Sequence, residues 1–110
     1  MLAAEFGDDG PTRADSVVWN EIRAIAVFET DLQEALSLTT GEWESRLFGP
    51  VALSGVPETA VADAATLLTS LVEGLSSRWL TAQIDTDTAQ RLMRSGAAAI
   101  LAAAQRDLPA

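Results

Sequence analysis

Apolar residues recur at helical spacing along most of the chain, and they do so most regularly over residues 57–83. Side chains three or four positions apart form one face there: Val61, Ala64, Leu68, Leu71, Leu75 and Trp79. A second apolar row widens that face: Ala65, Leu67, Val72 and Leu80. Pro57 suits a first helical turn, and Arg78 lies near the end that favours positive charge. The pattern predicts a long central helix that other helices cover on more than one side.

Two helices are predicted upstream of this central one, over residues 16–29 and 31–48. Asp15 or Ser16 can cap the first of them, because both side chains accept hydrogen bonds from free helical N–H groups. At Thr30 a hydroxyl is followed three residues later by a glutamine, a pattern typical of a capping box. We therefore place a break at Thr30, between these two helices.

The helical pattern stops at Gly49 and Pro50, so we expect a loop from there to the central helix, in which Val51 to Leu53 can form one further helical turn. A last helix is predicted over residues 87–107, with Asp85 or Thr86 as its cap. Small side chains fill much of this last helix, which allows a neighbouring helix to approach closely.

Residues 1–14 contain two glycines, a proline and adjacent acids. They predict a flexible leader, a linker or a non-native remnant, which leaves residues 15–110 as one helical domain. No segment alternates between apolar and polar residues as a strand does. The expected fold is all-α, an antiparallel array of about four helices.

Composition narrows the range of partners. The chain has 110 residues, 48% of them hydrophobic, and a net charge of −9, with seven basic residues against sixteen acids. Because phosphate binding depends on clustered positive charge, we expect no direct contact with nucleic acid or with an anionic membrane surface. With no secretory signal and no apolar run long enough to span a bilayer, a cytoplasmic protein is expected.

The sequence offers little for catalysis or metal binding. It contains no His, Cys, Tyr or Lys, which removes most general bases, activated nucleophiles and zinc ligands. The acids at Asp85 and Asp87 are better explained by helix capping than by chemistry. We therefore predict a protein that is not an enzyme and that needs neither metal nor cofactor.

Large aromatic side chains are spread over three of the predicted helices: Trp19, Phe28, Trp43 and Trp79. Two interpretations stay open, because such residues either fill a core or line an apolar pocket between helices. Arg23 lies beside the apolar stripe of the first helix, as a surface side chain or as a ligand contact. The segment around Gly41 is either a bend that lines a space or a tolerated glycine.

With its elements in this order, the chain resembles the C-terminal regulatory domain of tetracycline-repressor (TetR) family transcription regulators. The resemblance covers about residues 15–107 and centres on Glu73-Gly74-Leu75 within the long helix. The segment from Trp43 to Leu47 also looks like that family's middle helices. This is a pattern of hydrophobic positions with one short signature.

The resemblance implies a pocket for a small apolar or aromatic effector and a homodimer whose last two helices form a four-helix bundle. Carried onto this sequence, the implied pocket residues are Trp19, Ile22, Arg23, Phe28, Trp43, Leu47, Leu68 and Leu71. The implied dimer residues are Trp79, Met93, Gly96, Ala97, Ile100 and Ala104.

One part of the family pattern is missing from the sequence, because no helix-turn-helix precedes residue 15. We therefore expect a regulatory domain that does not bind operator DNA by itself. The alternative that stays open is a helical dimerisation or adaptor module that binds no ligand.

Overall fold

The computed structural model describes residues 2–106, and within that range it contains only helices and turns. A short 3₁₀ turn at Leu2–Glu5 precedes four helices: α1 (Gly10–Ala26), α2 (Thr30–Leu53), α3 (Glu58–Leu80) and α4 (Thr86–Arg106). The expected all-α array of four helices is therefore confirmed. No helix among the described residues is long and apolar enough to cross a membrane.

Carboxylate caps begin two of the four helices. The Thr12 N–H donates to Asp9 Oδ2 over 3.0 Å at the start of α1, and the Thr88 N–H donates to Asp85 Oδ1 over 2.7 Å at the start of α4. Each carboxylate satisfies a donor that the helix itself leaves free. The predicted cap at Asp85 is confirmed, whereas α1 begins at Gly10, well before the predicted residue 16.

The predicted flexible leader at residues 1–14 is wrong for its described part. Phe6 is only 1% exposed and belongs to the hydrophobic core, and residues 10–14 form the first turns of α1. Burial of the Phe6 ring stabilises the packing of this segment against the helices, although the segment contains two glycines. The boundary between residues 14 and 15 therefore does not separate two structural units.

The predicted break at Gly49 and Pro50 is also absent, because α2 continues through both residues to Leu53. Pro50 lies one turn from the end of α2. Its missing N–H removes a single backbone hydrogen bond there, and a kink at this position would displace only the last turn of the helix. Continuing the helix also buries Val51, which is 3% exposed. The Ser54 N–H then donates to the Pro50 carbonyl over 3.1 Å and ends the helix.

Helix α3 is the centre of the fold and packs against the other three helices. Ten of its residues are buried, and this agrees with the prediction of a helix covered on several sides. Two of the ten are polar, Thr69 and Ser76, and each has a hydrogen-bond partner. The Thr69 hydroxyl donates to Glu44 Oε1 over 2.9 Å, which ties α3 to α2.

Helix α3 ends at Leu80, three residues before the predicted end. The Gln83 N–H donates to the Arg78 carbonyl over 2.9 Å and the Ala82 N–H donates to the Trp79 carbonyl over 3.1 Å, which is a Schellman cap. This geometry puts Ala82 at a φ of 61°, a left-handed conformation that usually takes glycine. A sequence without glycine there gave no signal for the helix end.

Candidate functional site

A partly open cavity of about 260 Å³ lies between α1, α2 and α3. It is lined by Glu5, Ser16, Trp19, Arg23, Leu36, Thr39, Thr40, Trp43, Arg46, Val72, Glu73 and Ser76. The volume is slightly below the roughly 300 Å³ at which pockets for drug-sized ligands begin. A molecule of one or two rings is the size that fits.

Each helix presents one face to this cavity. Ser16, Trp19 and Arg23 follow one another at three- and four-residue steps on α1, so their side chains lie on one side of that helix. The same spacing on α2 relates Trp43 to Arg46. Trp19 is 40% exposed, and Trp43 is partly buried and packs against the core from the side of the cavity.

Charged groups of both signs line the cavity. Arg23 Nε lies 3.9 Å from Glu73 Oε1, and their side chains are 26% and 30% exposed. Arg46 has no carboxylate within 4.0 Å among the described residues. Desolvation by its neighbours raises the pKa of the Glu5 carboxyl, because it disfavours the charged form.

A polar contact beside the cavity joins α1 to α3. Asn20 Nδ2 donates to Ser76 Oγ over 3.1 Å and to the Ser16 carbonyl over 2.9 Å. Both partners of Asn20 also line the cavity. This contact fixes the distance between the α1 and α3 walls.

Comparison with known proteins places this helical array in a family. The model for the C-terminal domain of BetI-type transcriptional repressors matches residues 1–102. The chain belongs to this family. It is therefore part of the TetR group of transcription regulators, which are not enzymes, and the predicted resemblance is confirmed.

A crystal structure supports the same assignment. The BetI-type domain superposes with a TM-score of 0.83 on a Rhodococcus sp. protein assigned to the TetR family of transcriptional regulators. The two are 30% identical, and the match covers 91% of this chain but 56% of the Rhodococcus chain. No protein in the curated collection matches at a significant level.

The structure brings together three of the eight residues predicted to line a pocket in this BetI-type domain. Trp19, Arg23 and Trp43 line the cavity. Phe28 lies on the turn after α1 and is 86% exposed, because the helix ends at Ala26 rather than at residue 29. Ile22 is half-buried and does not line the cavity.

The other three predicted pocket residues lie elsewhere in the BetI-type domain. Leu47 and Leu68 are core residues, 4% and 3% exposed, because their faces of α2 and α3 meet each other directly. Leu71 lies against α4, where a Cβ added at Gly96 would stand 2.6 Å from Leu71 Cδ2. These three side chains stabilise the fold and do not contact the space that a ligand would occupy.

Sequence reasoning missed most of the polar lining. The sequence pattern places Glu5 in the leader and gives no pocket role to Arg46, Glu73 or Ser76. Helical spacing could have identified Arg46, since it lies three residues after Trp43 and therefore on the same face of α2. Thr39 and Thr40 belong to the segment that one interpretation placed beside a space, and they do line the cavity.

Two of the residues predicted for a dimer interface are buried inside the chain. Trp79 is 2% exposed and Met93 is 0% exposed, so neither offers surface to a partner. Ala97, Ile100 and Ala104 are partly buried and pack against the core of their own chain. Gly96 is partly exposed beside Leu71, at the edge between α3 and α4.

Trp79 instead holds the N-terminal segment in place. The Phe6 ring meets it edge-on, with centroids 5.5 Å apart, and the Arg13 guanidinium lies 5.1 Å from its ring centre. The Trp79 Nε1–H donates to Thr86 Oγ1 over 3.0 Å, and the Thr86 hydroxyl donates in turn to Asp8. We call residues 2–9 the N-terminal strap. The strap also supplies Glu5 to the cavity.

Among the described residues no group of three or more acidic side chains is placed to hold a metal ion. The cavity is lined by two indoles and by charged and hydroxyl groups, which together suit an organic molecule with an apolar and a polar part.

Proposed function

We propose that this BetI-type domain is the effector-sensing and homodimerising part of a transcriptional regulator in the cytoplasm. The observation that carries the proposal is the cavity with Trp19 and Trp43 on facing helices. Indoles on two walls of a cavity supply apolar contact area for a small ring-containing molecule. The match spans 56% of the Rhodococcus chain, and we propose no DNA-reading function for these 110 residues.

An effector in this cavity would contact α1, α2, α3 and the N-terminal strap at once. A ligand can shift an equilibrium between two arrangements only through different contacts with each. Helix α3 both lines the cavity and packs against α4, so a movement of α3 on effector binding would reach the α3–α4 face. The proposed mechanism is therefore a shift in the position of α1 and the strap relative to α3.

Thermal unfolding with a panel of small aromatic and apolar molecules tests effector binding. A compound that binds the folded state stabilises it by about 2.7 kcal/mol at a concentration 100 times its Kd. We expect some members of the panel to raise the unfolding midpoint of the wild type. Trp43→Ala should abolish that rise, because it removes one wall of the cavity.

The matched control is Leu38→Ala, on the same helix as Trp43 but 73% exposed and away from the cavity. It should respond to each compound as the wild type does. A panel without any stabilising compound would favour the ligand-free adaptor module. Equal binding by Trp43→Ala and wild type would place the ligand elsewhere.

The outer surface of α3 and α4 supports the homodimer part of the proposal. Leu67 is 55% exposed in the middle of α3, and Ala99 and Ala103 are exposed on α4. Leu71 and Gly96 touch each other at the edge where both helices are partly exposed, so the two exposed surfaces are continuous. We call the exposed surface that contains Leu67, Ala99 and Ala103 the α3–α4 outer face.

Sedimentation velocity at micromolar concentration tests the dimer. Leu67→Asp would place a charge in a buried contact and should leave only monomer. Leu38→Asp makes the same change at an exposed mid-helix leucine outside this face and should remain dimeric. A monomeric wild type would contradict the proposal, and a dimeric Leu67→Asp would place the interface on another surface.

A further inference from the structure

The charged lining of the cavity narrows the chemical class of effector, an inference that rests on the proposed effector-sensing function. Two of the chain's seven basic residues, Arg23 and Arg46, line this one space. An arginine keeps its charge at all physiological pH values, and its planar fork matches a carboxylate in two parallel hydrogen bonds. The cavity therefore offers hydrogen-bond donors that stay positively charged and whose geometry favours a carboxylate.

Both guanidinium groups have unused donors. Neither Arg23 nor Arg46 donates a hydrogen bond to another residue in the described range, whereas Arg13 donates to the Leu80 carbonyl. Arg23 meets Glu73 only through Nε, at the long distance of 3.9 Å. Arg46 has no ion-pair partner among residues 2–106. A ligand carboxylate would supply the acceptors that the chain itself does not.

The two acids of the lining offer less to a ligand cation. Glu73 already has a positive group beside it, since Arg23 Nε lies 3.9 Å from Glu73 Oε1. Desolvation raises the pKa of the Glu5 carboxyl, which disfavours its charged form. The positive groups are thus fixed in charge, while one acid lies beside Arg23 and desolvation disfavours the charged form of the other.

We propose that the effector is a small aromatic monocarboxylate, whose ring contacts Trp19 and Trp43 and whose carboxylate binds Arg46 with support from Arg23. The apolar ring system gains contact area on the indoles, and the anion is held at the only guanidinium of the lining without a carboxylate nearby in the described structure. Arg46 is then the residue that determines specificity for an acid over its neutral analogue.

Three probes with the same ring system test this: 2-naphthoate, 2-naphthamide and 2-naphthylmethylammonium. Their affinities for the 110-residue chain are measured by calorimetry and by quenching of tryptophan fluorescence. We expect the carboxylate to bind at least about tenfold more tightly than the amide, as a charge-assisted bidentate contact allows. The ammonium probe should be the weakest of the three.

Variants assign the effect to the residue. Arg46→Gln should remove the preference for 2-naphthoate and leave the affinity for 2-naphthamide within about twofold. Arg94→Gln, an exposed arginine of α4 that does not line the cavity, should leave all three affinities unchanged. Glu73→Gln should tighten 2-naphthoate binding, because it frees Arg23.

The outcomes separate this inference from the function on which it rests. If the amide and the carboxylate bind equally, or the ammonium binds most tightly, the cavity is an effector site but the carboxylate assignment is wrong. If none of the three probes binds at millimolar concentration, the effector-sensing proposal fails and this inference fails with it. If Arg46→Gln keeps the wild-type preference, Arg46 is not the anchoring residue.

Discussion

Ala82 shows how one residue can be held in an unfavourable backbone conformation by the helix end it completes. Its φ of 61° lies in the left-handed region, while the corresponding position after α2 is Gly55, with a φ of 97°. For an L-residue with a Cβ this region costs roughly 1–2 kcal/mol. The Schellman hydrogen bonds around Ala82 offset that cost.

Replacing Ala82 by glycine should therefore stabilise the domain. We expect Ala82→Gly to raise the free energy of unfolding in urea by about 1 kcal/mol. Ala35→Gly, at an exposed position inside α2, should lower it by about 1 kcal/mol instead. If Ala82→Gly destabilises the domain as Ala35→Gly does, Ala82 does not occupy the left-handed region in solution.

Asp9 and Asp85 link stability to pH, because both cap helix N-termini. The Thr12 hydroxyl, and then the Thr12 N–H, lowers the pKa of the Asp9 carboxyl. The Thr88 side chain and N–H do the same for the pKa of Asp85. A lowered folded-state pKa contributes stability that is present above the unfolded-state pKa and is lost as pH falls through the folded-state value.

The double variant Asp9→Asn/Asp85→Asn should show a smaller loss of stability in acid. Asparagine keeps the cap but does not titrate, so part of the decline in unfolding free energy between about pH 5 and about pH 2.5 should disappear. Asp63→Asn, an exposed aspartate without a hydrogen bond in the described structure, is the control and should keep the wild-type slope. Identical slopes for all three proteins would mean that the caps do not form in solution. Urea unfolding at a series of pH values measures the difference.

At the scale of elements, the N-terminal strap is the connection that the sequence pattern did not indicate. It places Phe6 in the core against Trp79, and the Gln90 side-chain amide donates to the Phe6 carbonyl over 2.7 Å. The same strap brings Glu5 to the cavity. The strap thus contacts both the proposed effector site and the turn between α3 and α4.

Removing the Phe6 side chain should cost much more stability than removing an exposed phenylalanine. We expect Phe6→Ala to lower the free energy of unfolding by about 3 kcal/mol, from lost burial and the lost edge-on contact with Trp79. Phe28→Ala, at a ring that is 86% exposed, should change it by less than about 0.5 kcal/mol. Equal effects in chemical denaturation would mean that the strap is detached in solution.

The elements differ in how well the sequence predicts them, for physical reasons. Periodicity located all four helices, because burial of one face selects apolar residues at helical spacing. The ends of two helices depend on features that periodicity does not show. Val51 is buried beyond Pro50 and extends α2, and Ala82 adopts a left-handed conformation that ends α3. Local sequence signals therefore predicted the end of α2 too early and the end of α3 too late.

The candidate site was harder to predict than the helices that build it. Aromatic residues at helical spacing indicated Trp19 and Trp43 but gave equal weight to Phe28, which became exposed when α1 ended at Ala26. The pattern does not separate Arg46, which is exposed, or Glu73 from charges outside the cavity, because a polar cavity wall and a solvated helix face have the same composition. Only the packing of three helices distinguishes the two.

The whole molecule is flatter than a compact domain of its length. Its extents are 41 × 35 × 20 Å and its Cα radius of gyration is 14.8 Å, against about 13 Å expected for 110 residues. The accessible surface is 6904 Å², whereas a monomer of this mass exposes about 5,800 Å². A slab two helices thick leaves one broad side of α3 and α4 open, as the proposed homodimer requires.

Thermal stability should therefore depend on protein concentration. Folding coupled to dimer formation follows mass action, so a tenfold rise in concentration should raise the unfolding midpoint by about 3 °C for two chains of this size. Leu67→Asp should have a lower midpoint that no longer changes with concentration. Leu38→Asp should keep the wild-type dependence, because its leucine lies outside the α3–α4 outer face. A wild-type midpoint constant from about 1 to about 100 μM would contradict coupled dimerisation over this range. The slab would then be stable as a single chain, with its outer face open to solvent.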